Sequence, residues 1–111
     1  KLNALVHPVV KQKFEDWCEN QSSELVIKEA AILFESDAHI GLDAVICVSA
    51  IQELRIVRVQ KRDGSSVEEV KSRINKQMPQ AEKEELADFI IVNDGEKLLL
   101  PQVLKVLKEM E

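Results

Sequence analysis

The chain has 111 residues, 45% of them hydrophobic but only 4% aromatic, which gives one ordinary domain whose core must be built from branched aliphatics. Twenty acidic against fifteen basic residues leave a formal net charge of -5, and that excess argues against nucleic acid or an anionic membrane as partner. No apolar run approaches the roughly 20 residues needed to cross a bilayer, and no signal-peptide pattern opens the chain.

Leu2, Leu5 and Val6 fit a helix that should be interrupted or re-initiated at Pro8, with Val10, Phe14 and Trp17 continuing at helical intervals. The run ELVIKEAAILF follows, nearly unbroken in aliphatics, and predicts a strand covered on both faces. AVICVSA and FIIVN read the same way. Between the last two, Ile51, Leu54 and Val57 mark one helix and Asp63-Gly64 a turn. Ser65, three residues before Glu68, reads as a capping box opening a second helix with Val67, Val70 and Ile74 on its face. Pro79 suits the first position of a short charged helix. After the turn NDGEK, Leu100, Val103, Leu104 and Leu107 form the apolar stripe of a last helix. Aliphatic strands alternating with helices predict an α/β domain with a parallel sheet, in which ligands bind at the carboxyl ends of the strands.

The chain begins with Lys1 inside a helical pattern and is therefore expected to be a piece of something longer. Cys18 and Cys47 match no CxxC pattern and read as small buried thiols, which fits a cytoplasmic setting. His7 and His39 have no metal-ligand spacing around them, so no structural metal is expected. The chemistry concentrates elsewhere. Arg55, Arg58 and Arg62 stand at i, i+3 and i+7, along one side of a helix, and the next helix adds Lys71, Arg73 and Lys76. A solvated charged face, offset by Glu53 or Asp63, explains this spacing without a ligand. The alternative is a helix-turn-helix arm that folds over phosphates, whose oxygens match guanidinium forks. Glu35 closes the first aliphatic run, where a carboxylate is useful only if it meets a cation or a hydroxyl. The chain contains neither GxxxxGK[ST] nor GxGxxG.

The ordered set LNALVHPVV, AAILFES, DAVICVSA, LRIVRVQKRDG, VKSRINKQM and LADFIIVNDG resembles the carboxyl-terminal portion of the bacterial dephospho-CoA kinases over nearly the whole chain. The resemblance implies part of a single P-loop kinase domain: parallel strands, covering helices and a helical lid over about residues 51–77. It implies transfer of the terminal phosphoryl group of ATP to the 3′-hydroxyl of dephospho-CoA, with Mg²⁺. Asn3, His7 and Pro8 match the family's LN…HP segment, and Phe34 and Glu35 its LFE, both on the CoA substrate side. Arg58 and Arg62 match the lid arginines that close over ATP, Arg73 and Gln77 the RI…Q that follows, and Asn93 and Gly95 the N-x-G turn near the adenine. Arg55 stands where relatives often carry Gln.

In that family the phosphate-cradling glycine loop, the lysine and the Mg²⁺-binding hydroxyl lie in an amino-terminal region that these residues do not match, so they are expected to be inactive alone. The family's sheet also sets its first strand, which these residues do not match, between the third and fourth, so the run ELVIKEAAILF, in the place of the third, is expected to move or to pair with another chain in self-association, unless further residues supply the first strand. Two other readings stay open: a noncatalytic nucleotide- or CoA-binding module descended from such a kinase, and a piece of a different nucleotide-monophosphate kinase.

Overall fold

The computed structural model describes residues 2–111, and their side chains from Pro8 onward. Asn3 and His7, both expected on the substrate side, therefore lie outside the described side chains. Two compact units divide the chain, residues 1–33 and 34–111.

The first unit carries α1 (Leu2–Glu19), which runs through Pro8 as one helix. The expected break at His7-Pro8 does not occur. A proline inside a helix deletes its own bond to the fourth residue back and crowds that carbonyl, yet helix continues on both sides of Pro8. Phe14 and Trp17 stack with ring centroids 6.2 Å apart, and the Lys28 ammonium sits 4.7 Å from the Phe14 centroid. The aliphatic run at 24–34 does not form the expected strand: it has no regular structure up to residue 30, then bends and turns. A strand exists only through its ladder, and no strand among the described residues pairs with this segment. Ile27 is left 79% exposed.

The second unit is a small α/β assembly in the order β1 (Ile46–Ser49), α2 (Gln52–Asp63), α3 (Val67–Lys76), α4 (Gln80–Leu86), β2 (Phe89–Val92) and α5 (Leu99–Glu109). The two strands fall within AVICVSA and FIIVN and pair in parallel, Ile46 opposite Phe89 through Ser49 opposite Val92. A parallel pair requires a long crossover, here supplied by three helices. Four buried side chains make the core among the described residues, one each from α2, α3, β2 and α5: Ile56, Val70, Ile91 and Val106. No helix there is long and apolar enough to cross a membrane.

Several faces differ from the sequence reading. Neither strand is buried on both sides: Val48 is 59% exposed, because a two-stranded sheet with α4 on β1 and α5 on β2 offers no second layer over the rest. On α2 the side chain buried is Ile56, while Ile51 and Val57 face outward. On α5 the expected stripe also faces outward, with Leu100 66% exposed, because the helix is anchored through Gln102 and Val106. The Gln102 side chain accepts from the Val92 N–H at 2.7 Å and donates to the Val92 carbonyl at 2.9 Å, binding β2 where a further strand would otherwise pair.

The turns are set locally. Gly64 ends α2 at φ 71°, a left-handed conformation that costs glycine nothing, and its N–H reaches the Gln60 carbonyl. Pro79 is the residue before α4 rather than its first. The cap of α3 is also one residue later than expected: the Ser66 hydroxyl accepts from the Glu69 N–H at 3.2 Å and meets the Glu69 carboxylate at 3.2 Å. The pair is thus Ser66 with Glu69, not Ser65 with Glu68. Replacing Ser66 by Ala is expected to cost about 1 kcal/mol in urea unfolding, and Ser65→Ala less than about half of that. The reverse order would show that Ser65 is the cap.

Candidate functional site

The carboxyl ends of β1 and β2 lead directly into α2 and into the turn Asn93-Asp94-Gly95, and α2 crosses back over that turn. Arg58, half-buried in the middle of α2, donates from Nη1 to the Asn93 carbonyl at 2.7 Å. Gly95 follows at φ 83°, and a Cβ built there would stand 3.9 Å from Arg58 Nη2, so the turn is close beneath the guanidinium. Asp94 shapes it by accepting at 2.9 Å from both the Glu96 and the Lys97 N–H. Those bonds, the Lys97 one foremost, hold its carboxyl below the usual range. Three residues expected at the nucleotide, Arg58, Asn93 and Gly95, are thereby brought together.

A second cluster lies at the α2–α3 junction. Asp63 accepts from Arg62 Nε at 2.8 Å and Nη2 at 3.1 Å, and from Arg73 Nη1 at 3.3 Å. Arg73 Nη2 also lies 3.3 Å from the Ser65 hydroxyl. The fork from Arg62 lowers the Asp63 pKa and raises its own. Asp63 thus offsets two arginines, as the charged-face reading allows. Arg62 stays 71% exposed, and an ion pair this wet is worth little, so its guanidinium is cheap to redirect.

A third cluster joins Glu35 to the start of α4. The Glu35 carboxylate accepts from the Met78 N–H at 3.1 Å and lies 3.5 Å from Lys83 Nζ, which donates to Gln77 Oε1 at 2.9 Å. Glu35 and Gln77 therefore meet through Lys83, whose side chain is only 13% exposed. The sequence reading passed over Lys83 within a helix taken as merely charged; with its partner elsewhere in the chain, no local spacing marks it. Phe34 packs against His39 with ring centroids 5.0 Å apart, and the His39 Nδ1 is buried with no hydrogen-bond partner. Pro8 lies exposed on α1, in the first unit.

The arginines at i, i+3 and i+7 therefore do not share one target: Arg58 meets a carbonyl and Arg62 a carboxylate, whereas Arg55 turns toward the α3–α4 connection. The arm presents the Arg58 guanidinium beside the end of β2, a group suited to an oxyanion.

The sequence model of the family described as dephospho-CoA kinase matches residues 1–98. A dephospho-CoA kinase of Bacteroides fragilis is 40% identical over 96% of this chain and 53% of its own length. One of Acinetobacter baylyi is 35% identical over 97% of this chain and 55% of its own. The crystal structure of a Thermus thermophilus protein, 36% identical, superposes with a TM-score of 0.89 over 99% of this chain and 58% of that one. The chain thus spans about half the length of the curated relatives it matches.

The Glu35 clasp carries a pH signature. Burial is the largest influence on this carboxyl and pushes its pKa up, but the N–H groups of Glu35 and Met78 together with Lys83 outweigh it, and the net shift is downward. A depressed pKa means stability present above the ordinary glutamate value of about 4.3 and lost as pH falls through the lower folded value. Thermal unfolding is expected to show this loss in the parent chain and a flatter profile across that window in Glu35→Gln. Identical profiles would mean that the clasp contributes nothing.

Proposed function

The chain belongs to the dephospho-CoA kinase family, and from that membership we propose that its residues form the lid and acceptor side of a P-loop kinase that moves the terminal phosphoryl group of ATP onto the ribose 3′-hydroxyl of dephospho-CoA. In that step the 3′-oxygen bonds to the terminal phosphorus as its hydroxyl proton passes to solvent, the bond from that phosphorus to the β–γ bridging oxygen breaks, and ADP leaves. Negative charge is spread over the transferred group and the bridging oxygen, so positioned cations lower the barrier.

The placement of Arg58 at the strand ends, bonded to the Asn93 carbonyl with Gly95 beneath it, is the observation that carries this reading. Arg62 and Arg73 stand on the same helix-turn-helix arm, joined by a surface carboxylate that a triphosphate can displace. On this reading Arg58 and Arg62 face the phosphates in the closed state, and Asn93 and Gly95 border the nucleotide base. Arg73 and Gln77 support the arm from the nucleotide side, while Phe34 and Glu35 face the CoA substrate.

Mg²⁺ needs a set of oxygen ligands, and the residues at these clusters do not fit it. Asp63 is taken by two arginines, Glu35 by Met78 and Lys83, and Asp94 by two backbone N–H groups. No step is routed through the ion. The phosphate cradle, absent as a motif from these 111 residues, must also come from elsewhere, and the chain alone is expected to be inactive.

The test is a chimaera in which these residues replace the aligned portion of the Bacteroides fragilis relative. It is expected to form ADP in a dephospho-CoA-dependent manner, while the 111-residue chain alone does not. In the chimaera, Arg58→Ala and Arg62→Ala are each expected to lower kcat by about 10²–10³-fold. A folded chimaera that binds nucleotide without turnover would favour the noncatalytic module. Full activity in both arginine variants would overturn the role of the lid.

A further inference from the structure

The proposed function assigns no part to Lys83. This lysine stands on α4, the helix packed on β1, and its side chain is only 13% exposed. Its ammonium lies 3.5 Å from Glu35 Oε2 and donates to Gln77 Oε1 at 2.9 Å. The same Glu35 oxygen accepts the Met78 N–H at 3.1 Å. A carboxylate from the loop before β1 is therefore held at one oxygen by α4 and by the backbone that leads into it.

Stability alone gives little reason for this arrangement. Replacing a partly buried ion pair by apolar side chains of similar size is often neutral, because desolvation cancels most of the attraction. What an apolar pair cannot do is fix a carboxylate in one place and in its charged form. Lys83 does both: its position aims Glu35, and its charge favours the ionised state. Gln77 fixes the ammonium in turn, because a carbonyl that accepts one of its N–H bonds narrows the directions left to the others. Such aim matters to a reaction, since a misplacement of about 1 Å near a substrate can cost ~10²-fold in rate.

We propose that Lys83 is a positioning residue for the acceptor: it touches neither substrate and acts through Glu35, whose carboxylate it holds in place for dephospho-CoA. This rests on the assignment of Glu35 to the acceptor side under the proposed function.

Two measurements separate the role of Lys83 from that assignment. In the 111-residue chain, without substrate, the Glu35 carboxyl signal is followed by NMR through its titration. Lys83, the Met78 N–H and the N–H of Glu35 itself all lower its pKa, so Lys83→Met is expected to move the midpoint to higher pH, and Lys83→Arg to leave it near the parent value. An unmoved midpoint in Lys83→Met would overturn the proposal, whatever the enzyme does.

In the Bacteroides fragilis chimaera, Lys83→Met is expected to raise KM for dephospho-CoA about tenfold or more, with KM for ATP changed less than about twofold. Lys83→Arg, which keeps the charge and the donors, is expected to restore most of the loss. In a Glu35→Gln background, Lys83→Met is expected to add less than about twofold, because its effect passes through that carboxylate. Full additivity of the two changes, or equal rises in both KM values, would overturn the positioning role and leave the transfer reaction standing. A folded parent chimaera without dephospho-CoA-dependent turnover would instead remove the reaction, and the proposal with it. Should Lys83→Met not fold, Lys83→Gln takes its place. Unfolding of both would make Lys83 a residue of the framework alone and overturn the proposal too.

Discussion

The hydrogen bond from Arg58 to the Asn93 carbonyl, 2.7 Å long, is the point on which the second unit turns. It joins the middle of α2 to the end of β2, across 35 residues of chain, and it is charge-assisted and half-buried, which makes it stronger than an ordinary surface contact. Gln102 grips the neighbouring residue, Val92, by both its N–H and its carbonyl from α5. The backbone leaving β2 is thus held by two side chains, while Gly95 supplies the left-handed step that lets it pass beneath the guanidinium. The helix-turn-helix arm is tied to the end of β2 by this bond.

Four cations of the arm and of α4 are balanced at rest in three different ways. Arg58 is matched by a carbonyl dipole, Arg62 and Arg73 by one surface carboxylate, and Lys83 by a carboxylate from a distant loop. These bonds differ in how readily they yield. A wet ion pair gives way to a polyanion at little cost, whereas the half-buried Arg58 and the Lys83 clasp hold the framework. On the proposed function this division is useful: a lid needs some guanidinium groups free to move and others that keep the arm attached. Arg55 is half-buried beside them, and its Nε has no hydrogen-bond partner.

What the sequence made legible was local. AVICVSA and FIIVN became the paired strands, and the Asp63-Gly64 and Asn93-Asp94-Gly95 turns form where their residues place them, because turn chemistry and β-branched runs act over a few neighbours. The run ELVIKEAAILF was just as strand-like by composition, yet it forms none, since a strand also needs a ladder partner that composition does not reveal. The α5 stripe failed for a related reason: Leu100, Val103, Leu104 and Leu107 have the right spacing, but Gln102 and Val106 decide which side meets β2. The Ser66 cap was missed by one residue because adjacent serines carry the same signature. At the site, the residue types were readable and their partners were not. Arg58 with Asn93, and Glu35 with the start of α4, are long-range pairs with no periodicity to betray them.

The most direct test of the anchorage is NMR of the arginine side chains at neutral pH. A guanidinium fixed on a carbonyl rotates slowly, so Arg58 should give resolved Nη signals while the exposed Arg62 gives an averaged one. If the Arg58 signals are averaged in the same way, the guanidinium is not held on the turn, and the proposed positioning of the arm is wrong.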